Sequence, residues 1–273
     1  MTMEVRGIDA AYLDHPVLAQ VSLCLTGRTV LLGANGSGKT TLLRVLSGAH
    51  RPLAGEVLVG GTRLKHTRDG LRAHRRQVQL VLQDPDDQLF SADVAADVSF
   101  GPLNLGLPEA EVHDRVAEAL ALLQITHLAE RPTHQLSYGE RKRAAIAGAV
   151  AMRPQVLLLD EPTSGLDPQG VRELLATLAG LEAHGTMLVM ATHDVDLALG
   201  WADQAAVVSG GGVVHGPAAE LLNDVDLLTR ARLHRPWPLE LSARLAVRGL
   251  VPPGLRPRTL EEVISVLDAG PEH

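Results

Sequence analysis

The chain has 273 residues, of which 45% are hydrophobic, enough to build a substantial core in one large domain or two modest ones. Its formal net charge is −7, and its arginine clusters at 72–76 and 141–143 are short, so we expect no nucleic-acid partner. Each cluster is instead predicted to be a solvated helix face. The first residues lack the charged and apolar regions of a signal peptide, and the longest apolar stretch, 144–152, is too short for a membrane span. We therefore expect a cytosolic chain that reaches a membrane only through a partner.

Short runs rich in valine and leucine alternate with longer helical patterns, which is typical of an α/β fold with a largely parallel sheet. The predicted strands, in chain order, are 3–10, 21–25, 29–32, 57–59, 78–82, 156–159, 187–191 and 204–208. Predicted helices over 109–123 and 141–151 have no strand between them, which indicates a helical subdomain inserted at about 84–153 in a main domain spanning 1–216. A last short strand should follow the three glycines at 210–212. Residues 217–273, interrupted by prolines, predict a helical C-terminal extension.

Two residue types are used sparingly. The single cysteine, Cys24, lies in the apolar run 21–25, which predicts a buried structural thiol. Only three of the 25 basic residues are lysines: Lys39, Lys65 and Lys142. Arginine is the default cation here, so a position that keeps lysine is expected to need a compact ammonium.

A glycine-rich loop joins the predicted strand 29–32 to a helical pattern that starts at Thr41. It matches G-x-x-x-x-G-K-[ST], whose backbone N–H groups cradle phosphates at a helix N-terminus. We expect Lys39 to reach the β and γ phosphates and the Thr40 hydroxyl to bind Mg²⁺. A glycine turn could match by accident, but this composition predicts roughly 0.002 such matches. The candidate nucleotide-binding residues are Gly33, Ala34, Asn35, Gly36, Ser37, Gly38, Lys39, Thr40 and Thr41.

Two carboxylates end the apolar run 156–159. At the carboxyl end of a parallel strand, Asp160 would lie near the metal, and Glu161 would polarise the water that attacks the γ phosphate. Paired acids could also simply begin a turn before Pro162. The phosphate loop favours the catalytic interpretation, because it needs acidic chemistry on a neighbouring strand.

The segment Leu-Ser-Tyr-Gly-Glu at 136–140 opens the second predicted helix. Ser137 and Glu140 have the spacing of a capping box, which an ordinary helix start would also show. A helix N-terminus with free N–H groups can bind a second phosphate-bearing surface as well. Both interpretations can hold at once.

Together these motifs resemble the ABC ATPase family over residues 3–220. The resemblance implies a P-loop NTPase fold, ATP and Mg²⁺ as cofactors, and ATP hydrolysis in a head-to-tail dimer. In that dimer, Ser137 and Gly139 would complete the ATP site of the opposite subunit. Two residues depart from the family pattern: Tyr138 stands where a glycine is usual, and Glu140 where many members have glutamine. The Tyr138 side chain could point away while the N–H groups still serve.

The same resemblance implies further site residues. Gln83 would be a catalytic and metal-binding loop glutamine that also senses the membrane partner. The loop 164–167 would join the two sites of the dimer, and His193 would be the switch histidine on the γ phosphate, although alone it could be a helix-cap neighbour. Tyr12 matches the aromatic residue that stacks on adenine, although a core or edge tyrosine is an alternative.

The stretches 83–90 and 97–102 are similar to energy-coupling-factor transporters and their cobalt/nickel relatives, and 145–149 with 193–198 resembles the cobalt-type ATPases. This implies an importer ATPase, for cobalt or nickel, at the cytoplasmic face of the membrane. Its partners would be transmembrane subunits and a second ATPase chain, in a homodimer or heterodimer. The acidic stretch could instead be a solvated turn. Other hypotheses are an importer ATPase for another metal or small solute, and a soluble non-transport ABC ATPase.

Overall fold

The computed structural model describes residues 1–13 and 15–269. Within them the strands are β1 (Thr2–Tyr12), β2 (His15–Thr26), β3 (Arg28–Leu32), β4 (Ala54–Val59), β5 (Thr62–Arg63), β6 (Val78–Val81), β7 (Val156–Asp160), β8 (Met187–Thr192), β9 (Gln204–Ser209) and β10 (Gly212–Pro217). The helices are α1 (Lys39–Leu46), α2 (Arg68–Gln77), α3 (Val94–Asn104), α4 (Glu109–Leu122), α5 (Tyr138–Ala151), α6 (Pro168–Ala183), α7 (Val195–Trp201), α8 (Ala218–Leu221), α9 (Val225–Arg230), α10 (Trp237–Val247) and α11 (Leu260–Ala269). Every predicted strand overlaps an observed one, and all but one agree with it to within three residues at each end; the exception is β2, which begins six residues before the predicted strand 21–25.

The strands form two sheets. The central sheet has the order β10-β9-β3-β8-β7-β6 and is parallel except for the β9–β10 pair. The predicted parallel sheet is therefore confirmed. A second, antiparallel sheet has the order β2-β1-β4-β5, and it was not predicted as a sheet separate from the first. The burial pattern distinguishes them: β2 alternates between buried and exposed over its second half, whereas β7 and β8 are buried at every residue.

The parallel order brings the carboxyl ends of three strands to one edge. β8 pairs with β3 on one side and with β7 on the other, with Leu32 opposite Thr192 and Asp160 opposite Ala191. The loops that follow β3, β7 and β8 therefore start side by side. Ligands of open parallel sheets bind at this edge.

Between β6 and β7 the described chain is helical. A short 3-10 turn at Pro85–Asp87 precedes α3, α4 and α5. Helices α4 and α5 were predicted, but α3 was missed because it carries Pro102 in its interior. Helices α8 to α11 follow β10, whose end coincides with the predicted start of the C-terminal extension at 217. The last four residues of that extension lie outside the described residues.

Two predictions about burial are wrong. Cys24 is exposed, because β2 alternates and places this residue on the outer face of its sheet. Lys142 belongs to no solvated helix face, since its side chain is only 1% exposed. No helix in 1–13 or 15–269 combines the length and apolarity that crossing a bilayer requires.

Candidate functional site

The glycine-rich loop leaves β3 and turns sharply into α1. A Cβ atom on Gly33 would overlap the Ser37 hydroxyl and lie 2.6 Å from the Val208 carbonyl oxygen, so no other residue fits there. Gly38 is the N-cap of α1 with φ 110°, a conformation that glycine adopts without strain. Because Gly38 has no side chain to cap the helix, the first N–H groups of α1 stay available for an anion.

Lys39 is held inside the loop. Its Nζ donates to the Gly33 carbonyl oxygen at 2.7 Å and lies 3.6 Å from Glu161 Oε1, with the side chain 5% exposed. The ammonium is thus oriented before any ligand arrives. It faces an open cavity of about 330 Å³. The cavity is lined by Val17, Asn35, Gly36, Ser37, Gly38, Lys39, Thr40, Thr41, Gln83, Asp160 and Glu161.

Asp160 ends β7 beneath the same cavity. One of its oxygens, Oδ2, accepts a hydrogen bond from the Thr40 hydroxyl at 2.7 Å. Its other oxygen, Oδ1, and the Ser37 hydroxyl are buried, and neither has a hydrogen-bond partner among the described residues. Burial raises the pKa of Asp160; the Thr40 hydrogen bond opposes this rise and the neighbouring Glu161 charge adds to it. An unpartnered carboxylate oxygen beside a hydroxyl is the donor set that a small divalent cation prefers.

Glu161 sits in a strained turn directly after β7. Its φ of 44° is left-handed, which is unfavourable for a residue other than glycine. Its side chain lines the cavity, and His193 Nδ1 lies 3.0 Å from Oε1. His193 follows β8 and its side chain is 58% exposed. The carboxylate therefore stands between a buried ammonium, that of Lys39, and an accessible imidazole.

The structure brings most of the predicted site residues together. Gln83, two residues after β6, lines the cavity with Asp160 and Glu161. Gly33 and Ala34 do not line it, but their carbonyl oxygens lie 2.7 and 3.4 Å from Lys39 Nζ.

Ser137 and Gly139 lie outside this cavity, at the N-terminus of α5. The capping box is present: the Ser137 hydroxyl accepts from the Glu140 N–H at 3.3 Å, and Glu140 Oε2 accepts from the Ser137 N–H at 2.7 Å. This backbone hydrogen bond lowers the pKa of Glu140. Ser137 and Gly139 are therefore not among the residues that line the cavity of the chain's own phosphate loop, and their role toward a second chain stays a prediction.

Tyr138 points its ring back into its own chain. A Cβ atom on Gly165 would lie 2.6 Å from the Tyr138 ring, so the ring packs directly on this glycine. The hydroxyl lies 3.4 Å from the Gln83 carbonyl oxygen. The side chain that departs from the family pattern thus packs against its own chain. At the same helix start, the Glu140 N–H is already bonded to the Ser137 hydroxyl.

Tyr12 lies at the end of β1 and is 39% exposed. Its ring centroid is 4.8 Å from that of His50, and its hydroxyl is 3.4 Å from Arg44 Nη1 on α1. It is not among the residues that line the cavity. Its role toward adenine stays a prediction.

Two residues near the site were not assigned to it from the sequence. Val17 lines the cavity and nothing in its sequence context indicated this. Lys142 donates from Nζ to the Glu161 carbonyl oxygen at 2.8 Å and to the Ser164 carbonyl oxygen at 3.0 Å. The signal that could have found it was present, because Lys142 is one of only three lysines in an arginine-rich chain.

Comparison with known proteins agrees with this geometry. The family model described as ABC transporter matches residues 19–164. A putative ABC transporter ATP-binding protein of Streptomyces coelicolor is 57% identical over 97% of this chain and 94% of its own length. The cobalt import ATP-binding protein CbiO of Rhodobacter capsulatus is 54% identical over 84% of this chain and 82% of its own length.

A solved structure is also similar. CbiO1 of Clostridium perfringens, part of the ABC transporter complex CbiONQ, has a TM-score of 0.74 and 38% identity, covering 88% of this chain and 97% of that one. The phosphate loop, the paired carboxylates after β7 and the capped N-terminus of α5 thus occur together in a chain that belongs to the family of ABC transporter ATP-binding proteins.

Proposed function

We propose that this chain is the ATP-hydrolysing subunit of an energy-coupling-factor type importer for cobalt or nickel ions, bound to the cytoplasmic face of the membrane through transmembrane subunits. One observation carries the hydrolytic part: the Glu161 carboxylate is fixed between Lys39 and His193 at the rim of the phosphate cavity. A carboxylate in that position can orient and deprotonate a water beside the last phosphate.

Mg²⁺ fits this site on the evidence of the unpartnered Asp160 oxygen. Asp160, Thr40 and Gln83 would hold the ion, and it would neutralise charge on the phosphate oxygens. The chain's own residues do the rest. Lys39 and the N–H groups of α1 bind and orient the phosphates, Glu161 takes the proton from water, and His193 holds the Glu161 carboxylate in line.

A dimer would complete the site. Ser137 and Gly139 do not line their own chain's cavity, so we expect them to contact a nucleotide on another ATPase chain. A head-to-tail pair would place the N-terminus of α5 over the partner's phosphates, where the helix dipole favours negative charge. The partner could be a second copy or a related chain.

The identity of the transported ion is inferred from the relatives named CbiO, because this subunit would not contact the substrate. A groove of about 710 Å³ lies beside the 83–90 segment, and its lining includes the exposed rings of Phe90 and Phe100 as well as Arg68 and Arg72. The two rings meet edge to face at 4.7 Å. This groove fits a cytoplasmic segment of a transmembrane subunit with apolar and acidic side chains.

The test of hydrolysis is Glu161→Gln. The amide keeps the shape of the side chain but cannot accept the proton, so we expect a variant that binds ATP, accumulates as a closed dimer and does not turn over. Size-exclusion chromatography with Mg-ATP and a phosphate-release assay measure both effects. Normal ATPase activity in this variant would contradict the assignment.

Transport is tested in cells. Deletion of the gene should abolish uptake of ⁵⁷Co or of nickel, and the wild-type chain should restore it. A Phe100→Ser variant should hydrolyse ATP as an isolated chain but fail to restore uptake. If the deletion leaves the uptake of both ions unchanged, the proposal for cobalt or nickel is wrong, and the chain would instead be the ATPase of an importer for another solute.

A further inference from the structure

Lys142 is a buried lysine that has no carboxylate beside it in the part of the chain that the structure describes. Its side chain is 1% exposed, and it forms no ion pair with any residue of the described ranges. Its ammonium donates to the carbonyl oxygens of Glu161 and Ser164 and lies 5.4 Å from the centroid of the Tyr138 ring. Burying an ammonium without a counter-charge is unfavourable. A residue that served only to fill the core would not need this charge.

The unfavourable burial of the Lys142 ammonium is reflected in its pKa. Burial lowers the pKa of Lys142 to about 8, even though the more distant carboxylates of Glu161, Asp84 and Asp160 oppose the shift. The chain retains a destabilised charge at this point. Of its other two lysines, Lys39 lies in the phosphate loop and Lys65 is exposed.

The carbonyl groups that Lys142 holds belong to the turn that orients Glu161. The Glu161 N–H donates to the Ala191 carbonyl oxygen at 2.9 Å, and its carbonyl oxygen accepts from the Ser164 N–H at 3.2 Å and from Lys142 at 2.8 Å. β8 thus fixes one side of this left-handed residue, and α5 fixes the other. Because the backbone sets the direction of the side chain, Lys142 contributes to the direction of the carboxylate.

Lys142 stands just over one turn after Tyr138, the first residue of α5. The same helix opens with Ser137 and Gly139, and the Tyr138 ring packs on Gly165 in the loop that follows Glu161. Two side chains of α5, those of Tyr138 and Lys142, therefore contact the segment 161–165. A displacement of the N-terminus of α5 would move the Glu161 carbonyl group with it.

We propose that Lys142 is a positioning residue that links the two nucleotide sites of a dimer. The partner's nucleotide engages the N-terminus of α5, and Lys142 passes that contact to Glu161 of its own chain. The inference rests on the proposed function, because it requires a head-to-tail dimer. In each chain, Lys142 would couple the nucleotide site that α5 completes on the partner to the site that contains the chain's own Glu161.

The first test is Lys142→Met, with Lys65→Met as the matched control at an exposed position. We expect kcat of the full-length Lys142→Met chain to fall at least about tenfold, because small misplacement of a catalytic group has effects of this size. ATP affinity should stay within about threefold of wild type. Lys142→Gln keeps a donor for one carbonyl oxygen, so its kcat should lie between that of Lys142→Met and that of the wild type. Unchanged kcat in both Lys142 variants, or a loss of affinity that accounts for the whole loss of activity, would overturn the proposal.

The second test asks which site Lys142 serves. Two differently tagged copies of the chain are purified as mixed dimers, and Glu161→Gln in one copy leaves a single active carboxylate. Lys142→Met in the same copy as Glu161→Gln should leave activity intact, because the active Glu161 keeps its own lysine. Lys142→Met in the opposite copy should lower the turnover of the mixed dimer by the same factor of at least about ten. The reverse pattern would show that Lys142 acts only on the partner's nucleotide site, through the N-terminus of α5.

The two proposals can fail separately. Wild-type chain without ATPase activity would contradict the proposed function. Active wild type together with fully active Lys142→Met and Lys142→Gln would contradict only the linkage.

Discussion

Asp160→Asn should make the nucleotide-free protein more stable while it removes the carboxylate that is proposed to hold Mg²⁺. The Asp160 side chain is 2% exposed, its Oδ1 has no partner in the described part of the chain, and its charge lies next to that of Glu161. Leaving a buried polar group without a partner costs about 1–3 kcal/mol, and more for a charged one. An amide of the same shape removes the charge and keeps its oxygen available to the Thr40 hydroxyl. At this chain length we expect the melting temperature to rise by about 2–6 °C.

The pH dependence has a defined sign. The folded pKa of Asp160 is raised, so the cost of its charge is fully present above that pKa and disappears as the pH falls toward the ordinary aspartate value of about 3.8. The stability gain of Asp160→Asn should therefore be largest near neutral pH and shrink on acidification. Calorimetry at several pH values measures it.

Mg-ATP should reverse the order of stability. A ligand at about 100 times its Kd stabilises the protein that binds it by about 2.7 kcal/mol, and Asp160→Asn should gain much less. Glu161→Gln is the matched control: its carboxylate already lies 3.6 Å from Lys39 and 3.0 Å from His193, so neutralising it should give no gain in stability. A nucleotide-free Asp160→Asn chain that melts below wild type at neutral pH would refute the reasoning.

Three further outcomes follow from the structure. Gly33→Ala should abolish ATP binding in a filter or fluorescence assay, because its Cβ would meet the Ser37 hydroxyl and the Val208 carbonyl oxygen; measurable binding would contradict this. Arg258→Ala should lower the melting temperature by about 2–6 °C, since Arg258 donates to two carbonyl oxygens at the end of α7, whereas the exposed Arg256→Ala should not. Cys24 should react with a thiol reagent in the native chain without loss of ATPase activity; protection until unfolding would contradict its exposed position.

The strands and the phosphate loop could be predicted because their signals are local. A buried parallel strand shows as an apolar run, as in β7 and β8, and the loop needs glycine at positions such as Gly33 for steric reasons. The second sheet was missed because the residues of a strand do not show which other strand it pairs with. The prediction that Cys24 is buried was wrong for a related reason. An apolar run indicates a buried strand, but only the pairing of the strand decides which of its residues face the core.

The site was predictable where a motif fixes both residue and context, as for Asp160 after β7. It was not predictable where a distant contact decides the role. Arg141, Lys142 and Arg143 form one basic cluster in the sequence, yet Arg141 pairs with Asp86 at 2.9 Å and Arg143 with Glu173 at 3.0 Å at the surface, while Lys142 turns inward. A helix places successive residues about 100° apart, so three adjacent cations face three environments.

Asp160 and Lys142 share a property that distinguishes function from packing. Each is a buried charge that has no opposite charge in direct contact among the described residues. Asp160 has an unpartnered oxygen, and Lys142 is bound to carbonyl groups of the turn that carries Glu161. Replacing a buried charge with a neutral side chain of similar shape often stabilises a protein. If Asp160→Asn and Lys142→Met both fold stably while turnover is lost, then these charges cannot be explained by the stability of the empty chain. Their free-energy cost would then be balanced only when nucleotide, metal and a second chain complete the site.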